Sequence, residues 1–260
     1  MNLSEQQIER YSRQMILKEV GEPGQEKLLA SRVLIVGTGG LGSPAALYLA
    51  AAGLGKLGII DGDRVELANL QRQIIHFTKD VGKEKVASAE QKIKAVNPEV
   101  KVTTYLAKVT ASNIAEIIKD YDFVLDATDN FRSKFLINDG CYFEKVPFSH
   151  ASVLGFNGQI ITVLPGQTAC YRCVLAWPPP LGAVPSCAQA GVLATLPGVI
   201  GCLQATEALK FLMGIGNLLT DRLLIYDALQ MQFRQVSLNR NPQCPICGTD
   251  PSITELKDEE

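Results

Sequence analysis

Gly37-Thr-Gly39-Gly40-Leu-Gly42 follows the four apolar residues Val33–Val36 and precedes an apolar segment of helical character. This is the G-x-G-x-x-G pattern, a tight turn whose backbone N–H groups approach a phosphate at a helix N-terminus. Asp61 lies 24 residues after Gly37, at the end of the next apolar run "LGIID" (57–61). An acid there accepts hydrogen bonds from ribose hydroxyls, and it serves NAD and ATP equally well. Taken alone, the turn favours a dinucleotide.

The next stretch, "DGDRVELANLQRQ" (61–73), shifts that balance. It carries Asn69 and Arg72, with Lys85 soon after on a following helix. Fixed cations beside a phosphate-binding turn suit a polyphosphate, whose charge must be held and spread during transfer. "DATDN" (126–130) ends an apolar strand, and in a doubly wound sheet that end faces the ligand crevice. Asp129 there suits Mg²⁺, which takes one or two carboxylates together with phosphate oxygens. Each residue also has a plainer reading: Arg72 and Lys85 as surface charges, Asp129 as the N-cap of a helix beginning at "FRSKF".

Cysteine carries a second signal. Cys170-x-x-Cys173 and Cys244-x-x-Cys247 are two pairs separated by 70 residues. Four thiolates so paired make a closed tetrahedral zinc site, structural because no coordination position is left open. Such a metal would tie the C-terminal end back to the mid-chain loop. Of the other three cysteines, Cys141 and Cys202 sit in apolar helical surroundings and read as core. Cys187 follows the Pro-rich loop "AWPPPLGAVPS" (176–186). His76 and His150 are needed by none of this chemistry, and His150 reads as a core or loop polar group.

The elements that must position these residues alternate through the first half. Ser4 with Gln7 forms a capping box that opens a helix over about 4–18. Helices follow from Pro44, over 82–96 and over 112–120; strands are expected at 33–36, 57–61, 101–106 and 121–128. The second half reads differently. Strands at 159–165, 222–228 and 232–238, the last two a hairpin, flank a long apolar helix ending near Leu212. One mixed α/β sheet follows, parallel first and antiparallel later, flanked by helices in a Rossmann-like nucleotide-binding fold. The whole of 1–260 is expected to be one domain: an N-terminal helix, a nucleotide-binding half of about 30–150, and a partner-binding and zinc half of about 151–248.

Composition bounds the rest. With 47% apolar residues the chain can bury a sizeable core, and 25 Lys+Arg against 27 Asp+Glu argue against nucleic acid as a partner. The N-terminus is polar, and the longest apolar stretch, near Ala190 to Leu203, is broken by Pro197 and by glycines. A soluble cytoplasmic protein without a membrane span is the expectation.

Taken in order, "RYSRQ", "GTGGLG", "DGDRVELANLQRQ", Lys85, "DATDN", the paired cysteines and "SCAQAGVL" closely resemble the MoeB/ThiF adenylyltransferases, relatives of ubiquitin-activating enzymes. The resemblance runs from about residue 8 to 248. It implies MgATP-dependent adenylation of the C-terminal Gly-Gly carboxylate of a small ubiquitin-like sulfur-carrier protein, ahead of thiocarboxylate formation for molybdopterin or thiamine synthesis. By the same resemblance Gly40 and Asn69 line the phosphates, Asp61 takes the ribose, and Arg72, Lys85 and Asp129 serve the triphosphate and Mg²⁺. Gly37, Gly39, Gly42, Asp63, Leu70, Gln71 and Asn130 complete the expected ATP-binding set. Members are homodimers in which the arginine matching Arg13 reaches the partner subunit's ATP. Cys187 matches a cysteine that in some relatives forms a thioester or an acyl-persulfide with the activated carrier; its plainer role is to close a loop. Ala68 stands where the family often has Ser, and Ala194 where it often has Gly. No rhodanese-like segment follows the second cysteine pair, so the sulfur donor is expected to be a separate protein. Two alternatives remain: the same chemistry serving tRNA modification or ubiquitin-like conjugation, and an NAD-dependent oxidoreductase.

Overall fold

The computed structural model describes residues 3–180, 182–185 and 187–258, with the main chain alone for Cys187 and Ala188. Eight strands form one sheet in the order β3-β2-β1-β4-β5-β6-β7-β8. The strands are β1 (Arg32–Val36), β2 (Lys56–Ile60), β3 (Lys101–Tyr105), β4 (Phe123–Asp126), β5 (Phe148–Leu154), β6 (Asn157–Val163), β7 (Arg222–Asp227) and β8 (Gln232–Ser237). Pairing is parallel from β3 across to β5 and antiparallel from β5 to β8. The expected switch from parallel to antiparallel is therefore present, and it falls at β5. That strand, Phe148–Leu154, is legible only in the structure: its run of buried positions includes Ser149 and His150, which hide an apolar pattern.

β1 shows why the first half reads as continuous apolar runs. Val33 and Ile35 point to one face, Leu34 and Val36 to the other, and all four are buried because helices cover both sides. On the first face lie α3 (Gly42–Ala51), α4 (Lys85–Val96) and the long α9 (Leu196–Met213). On the second lie α5 (Ile114–Ile118), α6 (Phe131–Phe143) and the cysteine-bearing segments. α1 (Glu5–Met15) opens with the expected capping box: Ser4 accepts from the Gln7 N–H, and Gln7 reaches back to the Ser4 N–H. α2 (Gly21–Ala30) is a helix that its first residues, Gly21, Pro23 and Gly24, disguise as a turn; Pro is tolerated there because first-turn N–H groups have no helical partner. α9 stops at Gly214, whose φ of 72° closes the helix in the left-handed region. None of the described helices is long and apolar enough to cross a membrane.

Candidate active site

The glycine turn joins β1 to α3. Gly37 has φ 94°, and a Cβ on Gly42 would sit 2.0 Å from the Gly37 carbonyl oxygen, so both positions demand glycine. One brings the chain out of the sheet and the other lets α3 close onto it. Around this turn, at the carboxyl ends of the parallel strands, opens a crevice of about 640 Å³. Gly37, Gly39, Gly40, Asp61, Asp63, Arg72, Lys85, Asp129 and Asn130 line it, and so do Gln73, Lys108, Arg132, Lys134 and Ser152.

Asp61 is oriented before any ligand arrives. Its Oδ2 accepts from the Thr38 N–H (2.8 Å) and hydroxyl (3.0 Å), and its Oδ1 accepts from the Asp63 N–H (2.9 Å). Lys85 begins α4 and is almost fully buried, with Nζ 3.0 Å from the exposed carboxylate of Asp63. Arg72 is looser; its Nη1 donates to the Ala68 carbonyl at 3.2 Å. Asn69, Leu70 and Gln71 stand beside the crevice rather than among its lining residues. Asn69 accepts from the Glu66 N–H at 3.1 Å and so shapes the short 3₁₀ turn Leu67–Asn69 that leads to Arg72. The cap of α6 is Asn130, which accepts from the Ser133 N–H (2.9 Å), and Asp129 stays exposed at the crevice.

The crevice floor holds a buried charge cluster that the motif reading passed over. Asp126, fully buried, accepts from Thr128 Oγ1 (2.6 Å) and N–H (3.1 Å), faces Lys134 Nζ at 3.5 Å and pairs with His150 Nδ1 at 2.7 Å. Burial alone would raise its pKa; Lys134, His150 and Thr128 hold it down at about 2. Burial and the Lys134 ammonium depress the His150 pKa, so its ring is neutral. Lys134 also donates to the Ala151 carbonyl at 2.6 Å. The sequence signal for Asp126 is its place at the end of β4; Lys134 and Gln73 carry none, because their direction depends on how α6 and the 61–73 segment pack.

Arg13 lies elsewhere. α1 packs on the loops leading into β2 and β3, where Tyr11 receives a hydrogen bond from Asn97 (2.9 Å) and Arg10 donates to the Val96 carbonyl (3.1 Å). Arg13, exposed on this helix, is absent from the crevice lining. Cys187 opens the short helix α8 (Cys187–Ala190), and its side chain lies outside the described residues.

The four paired cysteines converge as their spacing implies. Cys170, Cys173, Cys244 and Cys247 place their sulfurs within 4.8 Å of one another. Contacts of 3.9 Å (170–173), 3.6 Å (170–244), 3.5 Å (170–247) and 3.3 Å (173–247) are too long for disulfides. A tetrahedron with metal–sulfur bonds of about 2.3 Å has edges of about 3.8 Å, so the donor set fits a tetrathiolate metal site. The Asn241 N–H points at Cys173 Sγ (3.4 Å), the orienting contact such sites use. α7 (Tyr171–Val174) follows Cys170, carries Cys173 and reaches back to the crevice floor. Tyr171 stacks on His150 with centroids 3.9 Å apart, and Arg172 makes two bonds to Asp139 (2.7 and 2.6 Å). Cys141 is fully buried on α6 as expected, while Cys202 on α9 is half-buried.

The ThiF family model matches residues 11–246. The sulfur carrier protein adenylyltransferase of Thermus thermophilus is 46% identical over 265 residues, covering 100% of this chain and 98% of that protein. The SAMP-activating enzyme E1 of Haloferax volcanii is 48% identical over 248 residues, covering 95% and 92%. The crystal structure of E. coli MccB with ATP superposes with a TM-score of 0.82 over 92% of this chain and 74% of that one; at 23% identity it speaks for the fold alone. Matched by the family model over most of its length and by relatives of nearly half identical sequence over more than nine-tenths of their length, this chain belongs to the ThiF family and is an adenylyltransferase.

Proposed function

We propose that the chain adenylates the C-terminal Gly-Gly carboxylate of a small ubiquitin-like sulfur-carrier protein at the expense of ATP. The observation that carries this reading is the meeting of the glycine turn, the oriented Asp61 and the cations Arg72, Lys85 and Lys134 in one crevice. The carrier's carboxylate oxygen attacks the α-phosphorus, the α–β bridging P–O bond breaks, and pyrophosphate leaves. Both partners are anionic, so the reaction needs neutralised charge and in-line placement more than a base. Asp61 takes the ribose, Gly39 and Gly40 offer backbone N–H groups to the phosphates, and Arg72 and Lys85 spread the charge of the leaving group. Lys85 exchanges its partner Asp63 for phosphate. Asp129, exposed and unencumbered by the α6 cap, holds Mg²⁺, which supplies Lewis-acid neutralisation of the triphosphate when bound.

Hydride transfer falls away with family membership. Conjugation of a ubiquitin-like protein after the same adenylation keeps support from the Haloferax relative, which is named an activating enzyme of SAMP. The tetrathiolate site holds zinc in this reading, and a homodimer supplies Arg13 to the partner's crevice. The Cys187 thiolate attacks the carbonyl carbon of the acyl-adenylate, the bond to the AMP oxygen breaks, and AMP leaves as a thioester forms; intact-mass measurement after incubation with carrier and MgATP should show an adduct that Cys187→Ala lacks. The main test is carrier-dependent ATP–pyrophosphate exchange. Arg72→Ala should slow it by about 10²–10³, the loss expected on removing one transition-state charge donor; exchange at the wild-type rate would overturn the assignment.

A further inference from the structure

Behind the glycine turn a line of buried polar groups runs away from the crevice. Thr38, fully buried, gives both its donors to Asp61 and leaves its carbonyl to be satisfied from the other side. The close donor is His76, with Nε2 3.0 Å from the Thr38 oxygen. Ser43 spends its hydroxyl on the Gly39 carbonyl at 2.6 Å and stands 3.4 Å from that of Thr38. A carbonyl only accepts, so His76 Nε2 carries a proton. Its Nδ1 lies 2.9 Å from Ser88 Oγ, and Ser88 Oγ lies 3.1 Å from Lys92 Nζ. An ammonium only donates, so Ser88 accepts from Lys92 and turns its own hydrogen toward Nδ1. Lys92 is fixed in turn by an ion pair with buried Asp80, which also takes Lys83 and the Phe77 N–H. Every link points one way: Lys92 to Ser88 to His76 to Thr38.

We infer that His76 is a positioning residue for nucleotide binding, a neutral imidazole whose Nε2–H holds the Thr38 carbonyl so that the glycine turn keeps its shape and Asp61 stays aimed at the ribose. The inference rests on reading the crevice as the ATP site. The Thr38 carbonyl belongs to the peptide that leads into Gly39, so the bond that fixes it fixes the direction of the N–H groups offered to phosphate. The surroundings keep the ring neutral. Burial and the Lys85 and Lys92 ammoniums lower its pKa, against the upward pull of the Thr38 bond and the Asp61 carboxylate. A second proton would sit on Nδ1, where Ser88 already faces an ammonium.

Glutamine and asparagine separate this role from simple packing. Glutamine extends an N–H about as far as Nε2, whereas asparagine stops about one methylene short. Both lose the ring. His76→Gln should bind ATP, followed by fluorescence of a labelled analogue, within about twofold of wild type. His76→Asn should bind on the order of tenfold more weakly, as expected when a buried carbonyl loses its donor. Turnover at saturating ATP should change little in either variant, since the loss lies in binding. In ¹⁵N spectra of the wild type at neutral pH, His76 should show one protonated and one bare ring nitrogen. Ser88→Ala, which leaves the ring and Thr38 in place, should blur that tautomer and weaken ATP two- to fivefold, about 0.4–1 kcal/mol; it serves should His76→Asn not fold. Equal affinities for the glutamine and asparagine variants, or an unshifted tautomer in Ser88→Ala, would overturn the inference. Because the readout is ATP binding, a wild type that binds ATP but exchanges no pyrophosphate with carrier defeats the proposed function and leaves this inference standing. A wild type that binds no ATP defeats both.

Discussion

At the crevice the buried or half-buried cations already have partners: Lys85 faces Asp63, Lys134 lies between Asp126 and the Ala151 carbonyl, and Arg72 meets the Ala68 carbonyl. At the thiol cluster four acidic donors meet one another, and the close polar contact brought from outside them, among the described residues, is the Asn241 N–H. The crevice therefore stands without its ligand, because the fold has balanced its charge. Once deprotonated, as ligation of the proposed zinc would require, the four thiolates would repel and would balance only with the cation between them. The two sites should then answer differently to perturbation: the metal site in stability, the crevice in chemistry.

The largest expected effect is at the cluster. Chelation, or Cys244→Ser, removes the link between the 170–173 turn and the chain beyond β8. Structural zinc contributes folding free energy outright, about 10–16 kcal/mol in isolated small domains. Here a large core remains, so we expect a loss of about 5 kcal/mol, a fall of roughly 10–20 °C in melting temperature for a chain of this size. Metal analysis should give one zinc per chain. An unchanged melting temperature after verified metal removal would erase the contrast.

Next comes the crevice floor, where both members of the Lys134–Asp126 ion pair are buried. Lys134→Met leaves Asp126 with the neutral His150 and Thr128 as partners. Removing one member of a buried ion pair costs about 3–5 kcal/mol, and denaturant unfolding should show it. The same cluster sets a pH dependence. The folded pKa of Asp126, about 2, lies below the ordinary carboxylate value of 3.8, so the folded state binds this proton more weakly than the unfolded chain does. Its contribution is complete above about pH 5 and is lost as pH falls from about 4 toward 2, an amount of about 2 kcal/mol. The acid limb of the stability profile should flatten by that amount in Asp126→Asn, and parallel limbs would show that the carboxylate is not held down.

The two regions also differ in how far they could be read from residues alone. The turn, Asp61, Arg72, Lys85 and Asp129 fall within about a hundred residues in which β1, β2 and β4 are buried apolar runs, so motif and element identify each other. The four cysteines were legible by type and spacing, without any element to support them. What stayed hidden is whatever depends on direction. Lys134 and Gln73 face the crevice because of how α6 and the 61–73 segment pack. β5 was concealed because Ser149 and His150 are buried by hydrogen bonding rather than by being apolar. His76 and His150 were both set aside in the sequence, yet each lies in a polar chain that begins at a crevice residue or its immediate neighbour.

The smallest effect on stability is expected where the effect on chemistry is large. Arg72 is partly exposed, and among the described residues its side chain donates to a carbonyl four residues back, at 3.2 Å. It shares the crevice with Lys85, Lys134, Lys108 and Arg132, which repel it, and with Asp61, Asp63, Asp129 and Asp258, which attract it. The two nearly cancel. Arg72→Ala should therefore stay within about 0.5 kcal/mol of wild type, the range for surface changes that break no buried contact, and the difference should change little with salt because the offsetting attraction and repulsion are screened alike. Thermal scans at low and at physiological salt measure both. A loss of 2 kcal/mol or more would mean that Arg72 supports the fold, and its slowed exchange would no longer report on a charge held ready for the triphosphate.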